Sequence, residues 1–414
     1  MLRMNPQRSA IAVAAIGHFV LHFVLGIYLV VVLVIQRDWR LSYDFLISLW
    51  TAGAFLVGLG APLAGWLSDR WGEITLMVVF FLGLGTASVL CGLAGGPSML
   101  MVALALVGLF GSIYHPVGTS LAMRNAVGQG KVIGLVGLFG SLGFAVSAPV
   151  AGALSEASWR WAFLAPGIVA IALGIAVALL KSRRLLVERR TDLRRRATPP
   201  SARMMLRAFY PLSLAMLLFS VIYAAFTTAL PKWLSLELGG GATGGLGDRL
   251  DDRLGGALGG GGILDIGLLV ALIYGVGIAA QLIGGWIADR WSAKWAYIGS
   301  FLGKCVLLAA AACATGWQTV GLAAMVVFLF DIGSPAENVL IARFSPDGKR
   351  GLIYGIRQGA GLIAGPLGVQ CVAYFYRSEH GFFTMFLVLA ALALLVAMAA
   401  VLVPRDQPER LRAV

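Results

Sequence analysis

The sequence predicts an all-α integral membrane protein whose twelve transmembrane helices form two six-helix pseudo-repeats. Three observations predict it. Apolar residues fill 59% of the 414 positions and charged residues only 12%, about half the charge of a soluble domain. The apolar residues fall in long blocks, and Ile11 to Ile35, Ile74 to Ala94 and Phe382 to Val403 each reach the roughly 20 residues that span hydrocarbon. The chain also repeats itself: residues 65–73 read G-W-L-S-D-R-W-G-E and residues 285–293 read G-W-I-A-D-R-W-S-A, a shift of 220. Pro116, Arg124 and Lys131 return as Pro335, Arg343 and Arg350 at a shift of 219. Self-similarity at half the chain length marks two fused copies of one unit, a common way to build a transporter.

The apolar blocks place spans near 10–35, 44–67, 74–94, 98–122, 132–155, 160–181, 207–231, 263–288, 293–314, 317–341, 351–375 and 380–403. An even number puts both termini on one side. The net charge of +13 could suggest nucleic acid, but its distribution speaks against that partner. About 23 of the 32 Lys and Arg fall in the termini and alternate loops, and about 7 in the opposite loops. That asymmetry orients the basic side, with both termini, toward the cytoplasm. The expected location is the bacterial inner (plasma) membrane, the expected surroundings are the lipid bilayer, and the expected state is a monomer.

The densest basic stretch, Lys181 to Arg207, separates the two copies and attracts anionic lipid. It divides the chain into an N-terminal six-helix bundle (1–181), a basic cytoplasmic linker (182–206) and a C-terminal six-helix bundle (207–414). Within the latter, an outer loop at 239–262 has glycine at half of its 24 positions, a composition expected to act as a tether. Glycines inside the spans, such as Gly58, Gly137, Gly140, Gly143 and Gly361, leave small surfaces for close helix approach. Cys91, Cys305, Cys313 and Cys371 fall within spans and read as small buried hydrophobes, with no metal-ligand spacing. Trp39, Trp159, Trp233 and Trp317 fit an interfacial aromatic belt. No phosphate loop, nucleophile elbow, zinc-protease motif or C-x-x-C pair is present, so neither an enzyme nor a resident cofactor or metal is expected, and transport would run on gradients.

The duplicated turn resembles the signature loop of the major facilitator superfamily, G-x-L-[aS]-D-R-x-G-[RK]. It reads Gly65, Leu67, Asp69, Arg70 and Gly72 in the first copy, and Gly285, Ile287, Asp289 and Arg290 in the second. The resemblance covers essentially the whole chain and implies a conformational latch in which Asp69 and Arg70 bridge neighbouring helix ends. Glu73 stands where the pattern has a basic residue, and Ser292 where it has glycine. Span five carries Gly143, Pro149 and Gly152, with Ala148 in place of a usual glycine. Span eleven carries Gly361, Gly365, Pro366 and Gly368. Both are similar to the Gly-Pro motif of antiporters. Ser112 to Gly118, S-I-Y-H-P-V-G, resembles the fosmidomycin-resistance branch, whose members export drugs or small anions. The resemblance implies proton-coupled export of a small organic or drug-like solute by alternating access. A symporter or facilitator importing an organic anion, and a non-transporting sensor with the same fold, remain open.

An ionisable side chain at the bilayer centre costs on the order of 3 kcal/mol, so each one needs a reason. The candidates are His18, His22, His115, Lys304, Asp331, Glu337 and Arg357. The resemblance places spans one, four, seven and ten around the central cavity, and hence His18, His22, His115, Asp331 and Glu337 near the solute path. Asp331, Glu337, His22 and His115 are the candidate proton carriers, since carboxyl and imidazole groups can shed their charge to cross low dielectric. His18, His22, Tyr114, His115, Tyr223, Lys304 and Arg357 are the candidate solute contacts. The alternatives are neutral histidines bonded to neighbouring helices, a purely structural ion-paired cluster in spans nine to eleven, and an Arg357 that snorkels to the inner surface.

Overall fold

In hydrocarbon no water satisfies the backbone, so an apolar chain of this kind must close its amide hydrogen bonds within helices. The computed structural model describes residues 6–125, 129–186, 202–238, 263–290, 292–343, 359, 361–378 and 381–404. Among them the regular elements are helices: α1 (Pro6–Trp39), α2 (Tyr43–Ser48), α3 (Trp50–Trp71), α4 (Glu73–Gly92), α5 (Pro97–Gly111), α6 (Tyr114–Asn125), α7 (Gln129–Ala157) and α8 (Trp159–Ser182) in the first copy. The second copy contributes α9 (Ala202–Leu238), α10 (Ile263–Arg290), α11 (Ala293–Ala312), α12 (Gln318–Arg343), α13 (Gly365–Tyr376) and α14 (Gly381–Val401). Arg357, the glycine-rich stretch 239–262 and linker residues 187–201 lie outside the described residues, as do the side chains of Asp289 and Arg343.

Eleven described helices are long and apolar enough to cross a membrane, with α2–α3 and α5–α6 each counting as one span. The short α13 is the described part of the eleventh expected span, completing the twelve-span, two-copy fold. Large apolar side chains such as Leu63, Ile168, Leu272 and Val306 remain exposed around the bundle, the surface that lipid tails cover.

Span four breaks between α5 and α6 at Ser112 and Ile113. Pro116 has no amide hydrogen to offer the carbonyl four residues back, and it fits the first turn of α6. Ser112 turns its hydroxyl to the Leu109 carbonyl at 2.6 Å. The break places Tyr114 and His115 at the start of a new helix.

Across the two copies, the most extensive described contact joins α7 to α10, and α2 and α3 pack on α13. Glycine makes these approaches possible. A Cβ on Gly267 of α10 would stand 2.6 Å from the Ala148 carbonyl oxygen of α7, and one on Gly58 of α3 would stand 2.5 Å from the Ile363 amide nitrogen.

Two sequence expectations change. Trp159 and Trp233 are buried inside the bundle. Their rings pack on Trp39, Phe163 and Phe386, so aromatic contact overrides the interfacial position. Among the described residues the exposed tryptophans are Trp66, Trp71, Trp286 and Trp295, which flank the two repeated turns, and Trp161 at the start of α8. Cys313 is exposed, whereas Cys91 is buried. Cys313 is the C-cap of α11, where the helix ends.

The glycine contacts carry a testable consequence. A Cβ on Gly108 of α5 would lie 2.0 Å from the Gly53 carbonyl oxygen of α3. Gly108→Ala is therefore expected to destabilise the protein by about 1–3 kcal/mol through overpacking. Gly134→Ala, with nothing within 4 Å of the added atom, is expected to be neutral or slightly stabilising through helix propensity. Thermal unfolding of the purified protein in detergent measures both.

Candidate functional site

The expected intramembrane site residues that the structure describes gather in two clusters inside the bundle, half-buried apart from Tyr114 and Lys304. The first belongs to the first copy. His18 and His22 are one turn apart on α1, and His115 faces them from α6. The ring centroids lie 4.6 Å apart for His18 and His22, 5.6 Å for His18 and His115, and 5.8 Å for His22 and His115. Tyr114 stacks on His18 at 4.8 Å. Its hydroxyl donates to the Ala14 carbonyl at 2.8 Å, and its ring fills the space beside Gly17 and Gly118. Tyr114 thus fixes α6 against α1.

The second cluster lies in the second copy and reaches across to the first. Asp331 of α12 accepts a hydrogen bond from Gln281 Nε2 of α10 at 2.8 Å and from Ser141 Oγ of α7 at 3.4 Å. Its other carboxylate oxygen occupies the space that a Cβ on Gly277 would need, 1.9 Å from that atom's position. Asp331 therefore sits on the seam between the copies. Lys304 of α11 is only 1% exposed. Its ammonium rests 3.7 Å from the centre of the Phe301 ring, 5.1 Å from Phe219 and 5.3 Å from Phe330, where aromatic faces attract a cation. Glu337 and Asp331 are its acidic neighbours, and Glu337 faces the Tyr297 hydroxyl. Burial this deep leaves Lys304 no route to snorkel.

Phe144 of α7 separates the clusters. Its ring meets His22 at 4.6 Å on one side and stacks on Tyr274 of α10 at 5.2 Å on the other, with Tyr223 of α9 at 6.5 Å. Tyr223 in turn packs on Phe330 at 5.4 Å. A cavity of about 10 Å³, too small for much more than one water, remains between the copies beside Gly26, Phe144, Thr227 and Tyr274.

The two ends of the bundle are held differently. At the end away from the repeated turns, Arg377 beyond α13 donates to Asp44 of α2. Lys232 of α9 donates to Gln36 of α1 at 3.4 Å and lies within cation–π range of Tyr43 and Tyr376, at 5.3 and 5.5 Å. The Tyr43 hydroxyl donates to the Thr228 carbonyl at 3.2 Å. These contacts clasp the first copy to the second.

At the turn end, Gly72 has φ +87°, a conformation costly for any residue with a Cβ. Ser292, its counterpart, has φ −66°, which explains why a side chain is tolerated there. Asp69 reaches Arg124 of α6 at 3.9 Å, and Glu73 holds the same arginine at 3.1 Å and accepts from Ser120. Arg70 stacks over Trp66 in its own helix at 3.9 Å, and Arg290 over Trp286 at 4.9 Å. Gly65 is buried in α3, whereas Gly285 has nothing within 4 Å of an added Cβ. Glu73, the departure from the pattern, is the buried partner at this end.

Sequence reasoning missed Ser141, Gln281, Phe144 and Glu73 as participants. Gln281 offers a signal of its own, an amide inside an apolar span, which needs hydrogen-bond partners there. Ser141 and Phe144 offer none.

The sequence profile described as the Major Facilitator Superfamily matches residues 14–248 and 253–413. The puromycin resistance protein pur8 of Streptomyces alboniger is 33% identical over 165 residues, 38% of this chain and 31% of its own length. The putative multidrug resistance protein MdtD of Escherichia coli (strain K12) is 34% identical over 144 residues, 33% of this chain and 30% of its own. The matched segments thus span about a third of these relatives. Among solved structures, the human organic anion transporter MFSD10 (TETRAN) superposes with a TM-score of 0.69 at 16% identity, covering 96% of this chain and 100% of its own. A bacterial homolog of the human lysosomal transporter Spinster gives 0.69 at 14%, covering 97% and 96%.

The paired acids at the turn end make a prediction. Arg124→Gln removes the 3.1 Å contact to the buried Glu73 and is expected to lower stability by about 1–3 kcal/mol. Asp69→Asn removes a longer, more exposed contact and is expected to cost less than about 1 kcal/mol. Thermal unfolding in detergent ranks the two.

Proposed function

The chain belongs to the major facilitator superfamily, and from that membership we propose that it exports a small organic or drug-like solute in exchange for protons. The two copies, 1–181 and 207–414, exchange access to a shared central site. The repeated turns and both termini face the cytoplasm of a bacterial inner membrane, and one chain suffices. With that orientation the Asp44–Arg377 and Gln36–Lys232 clasp closes the outer side.

The observation that carries this reading is Asp331, a half-buried carboxylate bonded to one helix of each copy. Ionised, it accepts from Ser141 and Gln281 together and lies near Lys304, Tyr223 and Tyr274. A proton on Asp331 converts one oxygen into a donor, weakens the hold on Ser141, and leaves Lys304 to Glu337. The copies are then free to part at the seam. The relatives' names, a puromycin resistance protein and a multidrug resistance protein, support the direction and the solute class. Each charge crossing the full potential contributes about 2.3 kcal/mol per 100 mV, enough for concentrative work.

A second reading follows from Lys304. A buried cation ringed by aromatic side chains suits an organic anion, which would be imported together with protons. Uptake with the proton gradient applied in each direction separates the two.

In proteoliposomes, Asp331→Asn combined with Glu337→Gln is expected to abolish proton-driven flux of a drug panel headed by puromycin, while solute counterflow persists. A pH-sensitive dye inside the vesicles reports the coupled proton. Unchanged acidification-driven flux in the double variant would contradict the role given to these carboxylates.

A further inference from the structure

His18, His22 and His115 carry a chemistry that the carboxylate mechanism leaves unused. His18 and His22 leave the same face of α1, four residues apart. The break before α6 turns His115 toward them, and one ring nitrogen from each of the three lies within 4.8 Å of the others. His18 Nδ1 sits 2.6 Å from the Val136 carbonyl oxygen. A carbonyl only accepts, so Nδ1 carries the ring proton and Nε2 keeps its lone pair. That Nε2 is shielded from solvent without a hydrogen-bond partner, and so are both ring nitrogens of His22. Buried nitrogens of this kind are destabilising unless something occupies them.

An imidazole anchored at one nitrogen by a backbone carbonyl, with the other nitrogen free, is how proteins orient a histidine for a metal. The surroundings agree. Tyr114 stacks on His18, Phe144 closes on His22 edge-on at 4.6 Å, and Gly140 lets α7 press against His18. These contacts limit both ring movement and water. The ligands are three nitrogens without a carboxylate among them. That set suits zinc, cobalt, nickel or copper and not the oxygen-seeking calcium or magnesium.

We propose that His18, His22 and His115 form a three-imidazole site for a divalent transition metal of the zinc and cobalt class, with the fourth position open to an anionic oxygen donor. Zinc–nitrogen bonds near 2.0–2.1 Å in a tetrahedral site place the nitrogens about 3.3 Å apart. Side-chain torsions supply the roughly 1.5 Å of closure that the present spacing requires at most. Two added charges among neutral ligands in low dielectric favour an anion in the remaining position. All three residues are half-buried rather than sealed in the core, which leaves the ion a way in. The site stands independently of the proton role given to Asp331.

The test uses the full chain in detergent, with its affinity tag removed and metal stripped by a chelator. Titration with Co²⁺ is expected to give one equivalent per chain and the intense visible bands of a four-coordinate ion, which one equivalent of Zn²⁺ erases. His18→Gln, His22→Gln and His115→Gln are each expected to weaken Co²⁺ binding at least tenfold. His115→Gln leaves the His18–Val136 bond in place, so it remains decisive if a variant on α1 fails to fold. A pale six-coordinate spectrum, or equal binding by the wild type and a folded variant, would overturn the proposal.

Discussion

The carboxylate of Asp331 is the contact on which the middle of this bundle turns. A charge placed there must be satisfied locally, because the surrounding helices offer mostly apolar packing. Four features answer that demand at once. Gly277 vacates the space for one oxygen, Gln281 and Ser141 donate to the other, and Lys304 supplies a nearby cation. Since Ser141 belongs to the first copy and the rest to the second, the same contact holds the copies together. In the proposed mechanism, the proton that neutralises the group also loosens the seam.

The rest of the molecule divides in a matching way. Toward the end away from the repeated turns, the copies meet through charged and aromatic contacts around Lys232, Asp44 and Arg377. At the turn end, Glu73, Asp69 and Arg124 tie together α3, α4 and α6 of the first copy. Among the described residues, the clasp between copies and the tie within the first copy lie at opposite ends. The proposed alternating access would release one end while the first six helices move as a unit.

How much of this was legible in the sequence depended on whether the signal was local. The D-R turns, the apolar blocks and the asymmetry of Lys and Arg are local, and they predict the helical fold that the structure shows. His18, His22, Lys304, Asp331 and Glu337 stand out because each is ionisable inside an apolar run. Their partners do not stand out. Ser141 lies 190 positions from Asp331, and nothing in its neighbourhood distinguishes it from a serine that packs quietly. The cage of Phe219, Phe301 and Phe330 around Lys304 comes from three helices, so no periodicity announces it. The convergence of His115 on α1 likewise depends on the break at Ser112 and Ile113. Glu73 was legible as a departure from the family pattern, but its role became clear only with Arg124 beside it.

The central claim is that the charge on Asp331 controls the distance between the two copies. Spin labels on cysteines at Asp38 and Leu236, both exposed at the clasped end, would report that distance by pulsed electron resonance once the four native cysteines are replaced. The account predicts a distribution that lengthens from pH 8 to pH 6 in the otherwise unaltered chain. With Asp331→Asn it should stay fixed at the low-pH distribution at both values. An equal pH shift with and without Asp331→Asn would contradict it.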